Sequence, residues 1–555
     1  MSTSARVRGL MPSLDDYRDL RRTWKRDVVA GLTVGIVALP LALGFGVSSG
    51  VSAEAGLITA IIAGVLAAIF GGSNVQISGP TGAMVVVLLP IVAEHGVGAV
   101  ALVSIMAGVI VLAAGALRLG KAVGVIPWPV IEGFTLGIAA IIFLQQVPSL
   151  TVGGEADAAS HSSNALIAAV QAISEADWTY VPWAVGAALI VIGFMLLAQR
   201  LHPGIPGSLI GIAVVTLLCL MIDSPLAVIG ALPAGLPMPA LPTITLSGTA
   251  ALLAPAFTIA ALAAIESLLS ARVAASLGDT GSYDPDRELV GQGIASIGSG
   301  LFGGMPATGA IARTAVNVRS GGRTRLASIV HAVVLLLFVL VLSGPVGMIP
   351  LAGLAGVLML TAVRMVRAAT MRSILKSARS DAAAFIVTAI ITVSFDLIVA
   401  VVIGIVFAGV FAIRNLSRST GVQREEIAGP PQPGDERIAV VRIDGPLIFA
   451  SAERVFEEIT RMQGATVVVL RMSKLEHVDA SGAHALQDIV QSLERRGVTV
   501  LIKGVQPVHE DLFRTVGVLN SLRHHRHLFT SLDDAVSHAR SHIARGSGRP
   551  ASALA

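Results

Sequence analysis

Long apolar runs separated by short polar breaks fill the first 415 residues of the chain. Eleven of these runs come near the ~20 residues that cross a bilayer as a helix. They lie near 28–47, 51–70, 97–117, 130–147, 180–199, 205–222, 250–271, 326–343, 346–363, 382–395 and 396–413. Three further runs, at 75–93, 289–303 and 306–318, are short or broken by Gly and Pro. The pattern predicts fourteen membrane-spanning helices.

The pattern changes abruptly after the last apolar run. Residues 416–436 are polar and rich in Gly and Pro, as in a linker. Beyond them, strand-like segments at 438–443, 466–471 and 498–503 alternate with helical spacing at 452–462, 482–496 and 508–515. We therefore predict a transmembrane domain at 27–415 and a small α/β domain at 437–545. Residues 1–26 form a basic N-terminal segment, and residues 546–555 form a tail.

Composition supports a polytopic membrane protein and excludes several other classes. Hydrophobic residues make up 54% of the chain and charged residues 13%, against about 25% in soluble proteins. The net charge of +4 is too small for a nucleic-acid binder, and the single cysteine excludes a disulfide scaffold. No phosphate-binding loop, metal-spaced His and Cys cluster or nucleophile–base pair is evident. We expect no enzymatic activity, no cofactor and no metal.

The distribution of Lys and Arg predicts the topology in the membrane. Residues 1–26 contain seven of them, whereas residues 28–117 contain none. The polar loops at 149–179 and 223–249 carry acidic residues but no Lys or Arg. The positive-inside rule then places both termini in the cytoplasm and makes the number of spans even. A multi-pass protein of the cytoplasmic membrane is expected.

Two of the interrupted segments contain matching motifs. Residues 78–84 read Ser-Gly-Pro-Thr-Gly-Ala-Met, and residues 305–311 read Met-Pro-Ala-Thr-Gly-Ala-Ile. A helix that begins after such a break exposes free N–H groups and its positive dipole end inside the membrane. Two such ends facing one another would form an anion-binding site, as in transporters with broken helices. The alternative is that Gly and Pro are simply common in membrane helices.

Several motifs together resemble the SulP anion transporters, bacterial relatives of the solute-carrier 26 family. They are Glu266–Arg272, Glu288–Gly293, Gly309–Asn317, Ser78–Thr81 and, typical of a STAS domain, Asp479–Gly482. The resemblance implies two inverted repeats of seven spans, a mobile core domain that carries the site, and a gate domain. It also implies elevator-like transport, a homodimer, and a small anion such as sulfate, bicarbonate, chloride or a dicarboxylate as substrate.

The resemblance also indicates which residues surround the substrate. Arg313 would add a positive charge beside the two helix ends, unless it only pairs with a carbonyl or carboxylate nearby. Phe45 matches an aromatic position of the family's site, although it could be ordinary packing. The remaining candidates belong to the two half-helix motifs: Thr81, Gly82, Ala83, Gly309, Ala310, Ile311 and Ala312.

Glu266 is the candidate for coupling transport to an ion gradient. It is the only acidic residue between Asp223 and Asp279, and an apolar environment disfavours its charged form, so it could carry a proton. Family members with a sodium site pair an Asp at this position with a Thr where this chain has Ile311. We therefore expect proton coupling. Sodium-coupled bicarbonate transport, uncoupled exchange, a channel, and a purely structural pair with Arg313 are the alternatives.

The C-terminal domain raises the alternative of a membrane-anchored signalling protein. In anti-sigma-factor antagonists, which resemble this domain, a phosphorylated Ser follows the Asp of the motif; here that position is Ala480. Asp479 and Ser481 are predicted to cap a helix that starts near Gly482. A cytoplasmic protein partner of the domain is expected. The favoured function is secondary active transport of a small anion coupled to protons.

Overall fold

The computed structural model describes residues 10–121, 127–152, 164–201, 205–232, 235–242, 246–277, 281, 283–394 and 397–546. Two compact units divide the chain between Ile405 and Val406. The first is the membrane unit, and the second contains the small α/β domain.

The described residues in the first half of the membrane unit form nine α-helices and one very short strand. In chain order they are α1 (Leu20–Ser48), α2 (Ala53–Phe70), β1 (Ser78–Gly79), α3 (Gly82–His95), α4 (Gly98–Ala116), α5 (Trp128–Gln145), α6 (Val147–Thr151), α7 (Ala165–Ser174), α8 (Val181–Leu201) and α9 (Gly207–Met221). Strand β1 interrupts the third apolar segment, and its helix α3 starts only after this break.

The second half repeats this order. It comprises α10 (Leu246–Ala251), α11 (Leu253–Leu277), α12 (Pro285–Leu301), β2 (Thr308–Gly309), α13 (Ile311–Arg319), α14 (Arg325–Gly347), α15 (Leu351–Met365), α16 (Ala368–Leu375), α17 (Arg379–Ser394) and α18 (Leu397–Ser419). Each of the fourteen predicted apolar runs coincides with a helix, and the third of each seven is the one that follows a strand. Among the described residues, eight helical segments are long and apolar enough to cross a membrane.

Helix packing in the membrane unit falls into two groups. Helices α1, α2, α4, α11, α12, α13 and α14 contact one another extensively, and α5, α8, α9, α15 and α17 form further contacts among themselves. Glycine allows helices to approach closely. A Cβ on Gly293 of α12, for example, would lie 2.5 Å from the main-chain nitrogen of Leu112 in α4. The grouping agrees with the core and gate domains that the family resemblance implies.

The C-terminal unit is a five-stranded sheet flanked by helices. Its elements are β3 (Gly421–Glu425), β4 (Ile438–Leu447), α19 (Phe449–Thr460), β5 (Val467–Val478), α20 (Ala480–Arg495), β6 (Thr499–Lys503), α21 (Pro507–Val516), β7 (Leu528–Phe529) and α22 (Leu532–Gly546). The strand order is β3-β4-β5-β6-β7, and only the β3–β4 pair is antiparallel. The predicted strands and helices of this domain are therefore confirmed.

Three elements of this unit differ from the expectation. Residues 416–436, expected as a linker, include strand β3, while β7 and α22 were not predicted. Side chains alternate across the sheet, so Val441 faces the core formed with α19, α20 and α21, whereas Val440 faces α22. Helix α22 therefore covers the opposite face of the sheet, where Ala535 and Ala539 are buried.

Candidate functional site

Strands β1 and β2 pair with each other and so join the two halves of the membrane unit. Ser78 lies opposite Gly309 and Gly79 opposite Thr308, in antiparallel register. The main-chain N–H of Ala310 also donates to the carbonyl of Ile77, at 2.8 Å. Because α3 and α13 begin two or three residues beyond this ladder, their N-terminal ends lie at the same place. The motifs matched by sequence are thus brought together.

Two glycines permit this close arrangement. A Cβ on Gly309 would lie 1.7 Å from Nε2 of Gln76, and one on Gly82 would lie 2.1 Å from Cδ1 of Ile142. The same Cβ on Gly82 would lie 3.3 Å from Cε1 of Phe45, whose side chain is buried. The predicted aromatic residue therefore lies beside the start of α3.

The carboxylate of Glu266, on α11, accepts hydrogen bonds from two threonine hydroxyls. Its Oε2 lies 2.8 Å from Oγ1 of Thr81 and 2.9 Å from Oγ1 of Thr308, and the two hydroxyls are 3.0 Å apart. Thr81 precedes α3 as its N-cap residue, but its hydroxyl makes no capping bond. Thr308 lies within β2 instead. The matched motifs thus occupy different local structures, yet both hydroxyls bind the same carboxylate.

Further hydroxyls of α11 and α13 support the strand pair. Oγ of Ser267 accepts from the main-chain N–H of Gly309 at 3.0 Å, and Oγ1 of Thr314 accepts from that of Ile77 at 3.0 Å. Ser270 lies 3.3 Å from the Thr314 hydroxyl. Sequence reasoning missed Thr308, Ser267 and Thr314 as site residues. Thr308 had a signal in its place in the repeated Thr-Gly-Ala motif, and Ser267 and Thr314 lie within the motifs that carry the family resemblance.

Arg313 lies on the first turn of α13 and is buried, with 2% of its surface exposed. Its Nη2 donates to the carbonyl of Pro80. Within the described residues, Arg313 forms no ion pair with Glu266, and its Nη1 has no hydrogen-bond partner. The described residues therefore do not contain the alternative arrangement, in which Glu266 and Arg313 form a structural pair. Both amide atoms of the neighbouring Gln76 also lack partners among those residues. Buried polar atoms without partners are costly and call for an explanation.

The remaining candidates line the first turns of the two half-helices. Ala83 and Ala310 are buried, Ile311 is partly buried, and Ala312 is exposed. All ten residues singled out by sequence thus lie on α1, on α11 or around the two helix starts.

In the C-terminal unit, Asp479 is the N-cap of α20, as predicted. Its Oδ1 accepts from the N–H of Gly482 at 2.8 Å, and its Oδ2 accepts from that of Phe449 at 2.9 Å. The helix begins at Ala480, two residues earlier than expected. Ser481 is therefore an exposed residue of the first turn and not a cap.

An α-helical membrane unit with two interrupted helices meeting through their N-terminal ends defines a membrane transporter of the repeat-built class. Comparison with protein-family models agrees. The sulfate permease family model matches residues 24–388, and the STAS domain model matches residues 430–535. The chain belongs to the sulfate permease family, whose members are transporters and not enzymes.

Individual relatives match over nearly their full length. The Bacillus subtilis protein named "Putative sulfate transporter YvdB" is 33% identical, over 92% of this chain and 97% of that protein. The bicarbonate transporter BicA of a Picosynechococcus strain is 31% identical, over 87% and 89%. A solved transmembrane domain of a cyanobacterial BicA is 32% identical, covers 70% of this chain and 97% of its own, and gives a TM-score of 0.59. The murine anion transporter Slc26a9, 18% identical, shares the fold with a TM-score of 0.83 over 97% of this chain and 95% of its own.

Proposed function

We propose that this protein is a secondary active transporter that moves a small anion across the cytoplasmic membrane together with protons. The observation that carries the proposal is the β1–β2 pair, which holds the N-terminal ends of α3 and α13 beside the buried Arg313, whose Nη1 has no partner among the described residues. Elevator-like movement of the core domain would carry this site between the two sides of the membrane.

The chemistry at the two helix ends favours an anion over a cation or neutral solute. The first N–H groups of α3 and α13 have no partner within their own helices, and the aligned peptide dipoles place partial positive charge there. Nη1 of Arg313 supplies a further donor suited to an oxyanion. Relatives named as sulfate and bicarbonate transporters support sulfate or bicarbonate as the substrate. A dicarboxylate, which also presents oxyanion groups, remains part of the proposed substrate class.

Glu266 is the group through which protons would be coupled to the anion. Its carboxylate is hydrogen-bonded to Thr81 at the start of α3 and to Thr308 in β2, so its charge acts directly on the site. An ionised Glu266 would oppose an anion, and protonation removes that repulsion. Each accompanying proton also offsets one negative charge moved against the membrane potential, which costs about 2.3 kcal/mol per charge per 100 mV.

The test is uptake of labelled sulfate, bicarbonate and fumarate by proteoliposomes, with an imposed pH gradient or sodium gradient and a clamped membrane potential. External acid should drive accumulation by the wild-type protein. Glu266→Gln, which keeps the size of the side chain, should abolish accumulation while anion exchange continues. Glu94→Gln, at an exposed position near the end of α3, is the matched control. Accumulation by Glu266→Gln in response to a pH step would refute proton coupling through this residue.

Sodium-coupled bicarbonate transport is the second candidate. Oε2 of Glu266 and the hydroxyls of Thr81 and Thr308 place three oxygens within 3.0 Å of one another, whereas Ile311 supplies none. A sodium gradient would then replace the pH gradient in driving bicarbonate uptake, and Thr308→Val would weaken the dependence on sodium. Uptake that follows neither gradient would indicate an uncoupled exchanger or a channel.

The proposal includes an arrangement in the membrane and an assembly. Both termini lie in the cytoplasm, the protein is a homodimer, and the STAS domain binds a cytoplasmic protein partner. The basic N-terminal segment and the loops without Lys or Arg support this orientation. Chemical crosslinking of the protein in native membranes tests the dimer.

A further inference from the structure

Histidines are concentrated at one place in the C-terminal unit. Five of the chain's 12 histidines fall within residues 524–542, and they are His524, His525, His527, His538 and His542. Three of these imidazoles meet where the segment before β7 packs against α22. One ring nitrogen from each of the three lies within 4.8 Å of the others. His527 is buried, while His538 and His542 are partly buried.

The geometry of the three rings suits a metal ion. His538 and His542 are four residues apart on α22 and therefore share a helix face. Their Nε2 atoms lie 3.2 Å apart. Two imidazole nitrogens bound tetrahedrally to zinc at ~2.0–2.1 Å would be about 3.3 Å from each other. The ring centroid of His527 is 5.5 Å from that of His538 and 5.3 Å from that of His542. Small side-chain rotations would close the three nitrogens around one ion.

The buried histidine has a nitrogen with no partner. His527 is 3% exposed, and its Nδ1 has no hydrogen bond in the described part of the chain. The same imidazole is hydrogen-bonded to the main chain of Val500, a contact of the kind that orients metal-bound imidazoles. The cluster therefore contains a buried imidazole that has an unpartnered nitrogen among the described residues and lies against two further imidazoles, as a ligand of a metal ion would.

We propose that His527, His538 and His542 form a binding site for a divalent transition-metal ion, with zinc as the reference ion. Water or the exposed His524 completes a tetrahedral set. Imidazole ligands suit zinc, copper and nickel ions. Magnesium and calcium ions prefer oxygen ligands instead. The ion would link the segment before β7 to α22 and so fasten that helix to the sheet. This site is independent of the proposed anion site in the membrane unit.

The test is zinc binding by the full-length protein, purified with an affinity tag that contains no histidine and stripped with a chelator. Competition against a chromophoric zinc chelator should give one ion per chain. His538→Ala and His542→Ala should each weaken zinc binding by at least about tenfold. His484→Ala, which removes an exposed histidine of α20, should leave the affinity unchanged. Wild-type affinity in both α22 variants, or absence of saturable binding by the wild-type protein, would overturn the proposal.

Cobalt provides a measurement that does not depend on the variants folding. The wild-type protein loaded with Co²⁺ should show the visible absorption of a tetrahedral nitrogen site, and zinc should displace it. Magnesium at the same concentration should not compete. A cobalt spectrum typical of octahedral aqueous ions would also overturn the proposal, whatever the fate of the variants.

Discussion

Arg313 is a buried cation whose Nη2 donates to the carbonyl of Pro80, while its Nη1 has no hydrogen-bond partner among the described residues. Such a side chain is stable only if something offsets its burial, and a bound oxyanion would do so. The uncharged side chain of Gln76 likewise has buried polar atoms without hydrogen-bond partners among the described residues. At this scale, polar atoms without partners mark the site better than the alanines and glycines of the motifs.

Arg313→Ala should weaken anion binding by roughly 10- to 100-fold, because a charge-assisted hydrogen bond contributes about 1.5–3 kcal/mol. The measurement is the KM of uptake in proteoliposomes. Arg319→Ala, an exposed arginine at the other end of α13, is the matched control and should retain wild-type KM. Unchanged KM in a folded Arg313→Ala protein would remove this residue from the site.

Gly309→Ala should lower the thermal stability of the membrane unit and reduce uptake, because the added Cβ would overlap Nε2 of Gln76. Overpacking of this kind costs typically 1–3 kcal/mol. The second substitution Gln76→Ala removes the obstructing atoms and should restore the melting temperature of the double variant. Gly186→Ala, where a Cβ meets nothing within 4 Å, controls for the substitution itself. A Gly309→Ala protein as stable as the wild type would show that the contact is not restrictive.

Among the elements, the apolar runs were predictable because hydrophobic length is a direct consequence of the bilayer thickness. The half-helices were predictable from Pro and Gly. The partners of Glu266 were only partly predictable, since Thr308 belongs to a strand and Thr81 to a helix cap, and pairing between distant segments leaves no local pattern. Strand β7 has only two residues, too few for a detectable alternation. Helix α22, in the same domain, is amphipathic and carries several charges, and it was not predicted from the sequence.

Helix α22 is also anchored by a bidentate ion pair, which predicts a pH dependence. Nε and Nη2 of Arg540 each lie 2.8 Å from an oxygen of Asp435. Hydrogen bonding to Arg540 lowers the pKa of Asp435. The pair therefore stabilises the fold fully above the pKa of the unfolded carboxyl, about 3.9. Its contribution is lost as the pH falls through the lowered folded value.

Arg540→Ala should speed hydrogen exchange of α22 amides in the full-length protein at pH 7. The difference from the wild type should shrink as the pH falls towards 3. Because both side chains remain partly exposed, the expected effect is on the order of 1 kcal/mol or less. Arg514→Ala, which breaks an exposed pair with Glu510, should change exchange little at any pH. A difference independent of pH would assign the effect to lost packing.

For the whole molecule, the even number of predicted spans requires both termini on the same side. The test is labelling with a membrane-impermeant maleimide in a background where Cys219, the single cysteine, is replaced by Ser. Ser174→Cys, exposed at the end of α7, should be labelled in intact cells. Gln463→Cys, exposed between α19 and β5, should be labelled only after permeabilisation. Labelling of Gln463→Cys in intact cells would reverse the proposed orientation.

The pairing of β1 with β2 can form only after both halves of the membrane unit have been synthesised. Ser78 enters the membrane with the first half of the chain, but its partner Gly309 is synthesised about 230 residues later. At ~5–20 residues per second, the ribosome needs ~10–50 s to supply it. During that interval the main-chain polar groups of β1 lack their partner strand, and unpaired groups are costly in hydrocarbon. Strand β1 must therefore remain in contact with water or an insertion chaperone until β2 has been synthesised. A ribosome stalled before residue 308 should leave β1 accessible to solvent.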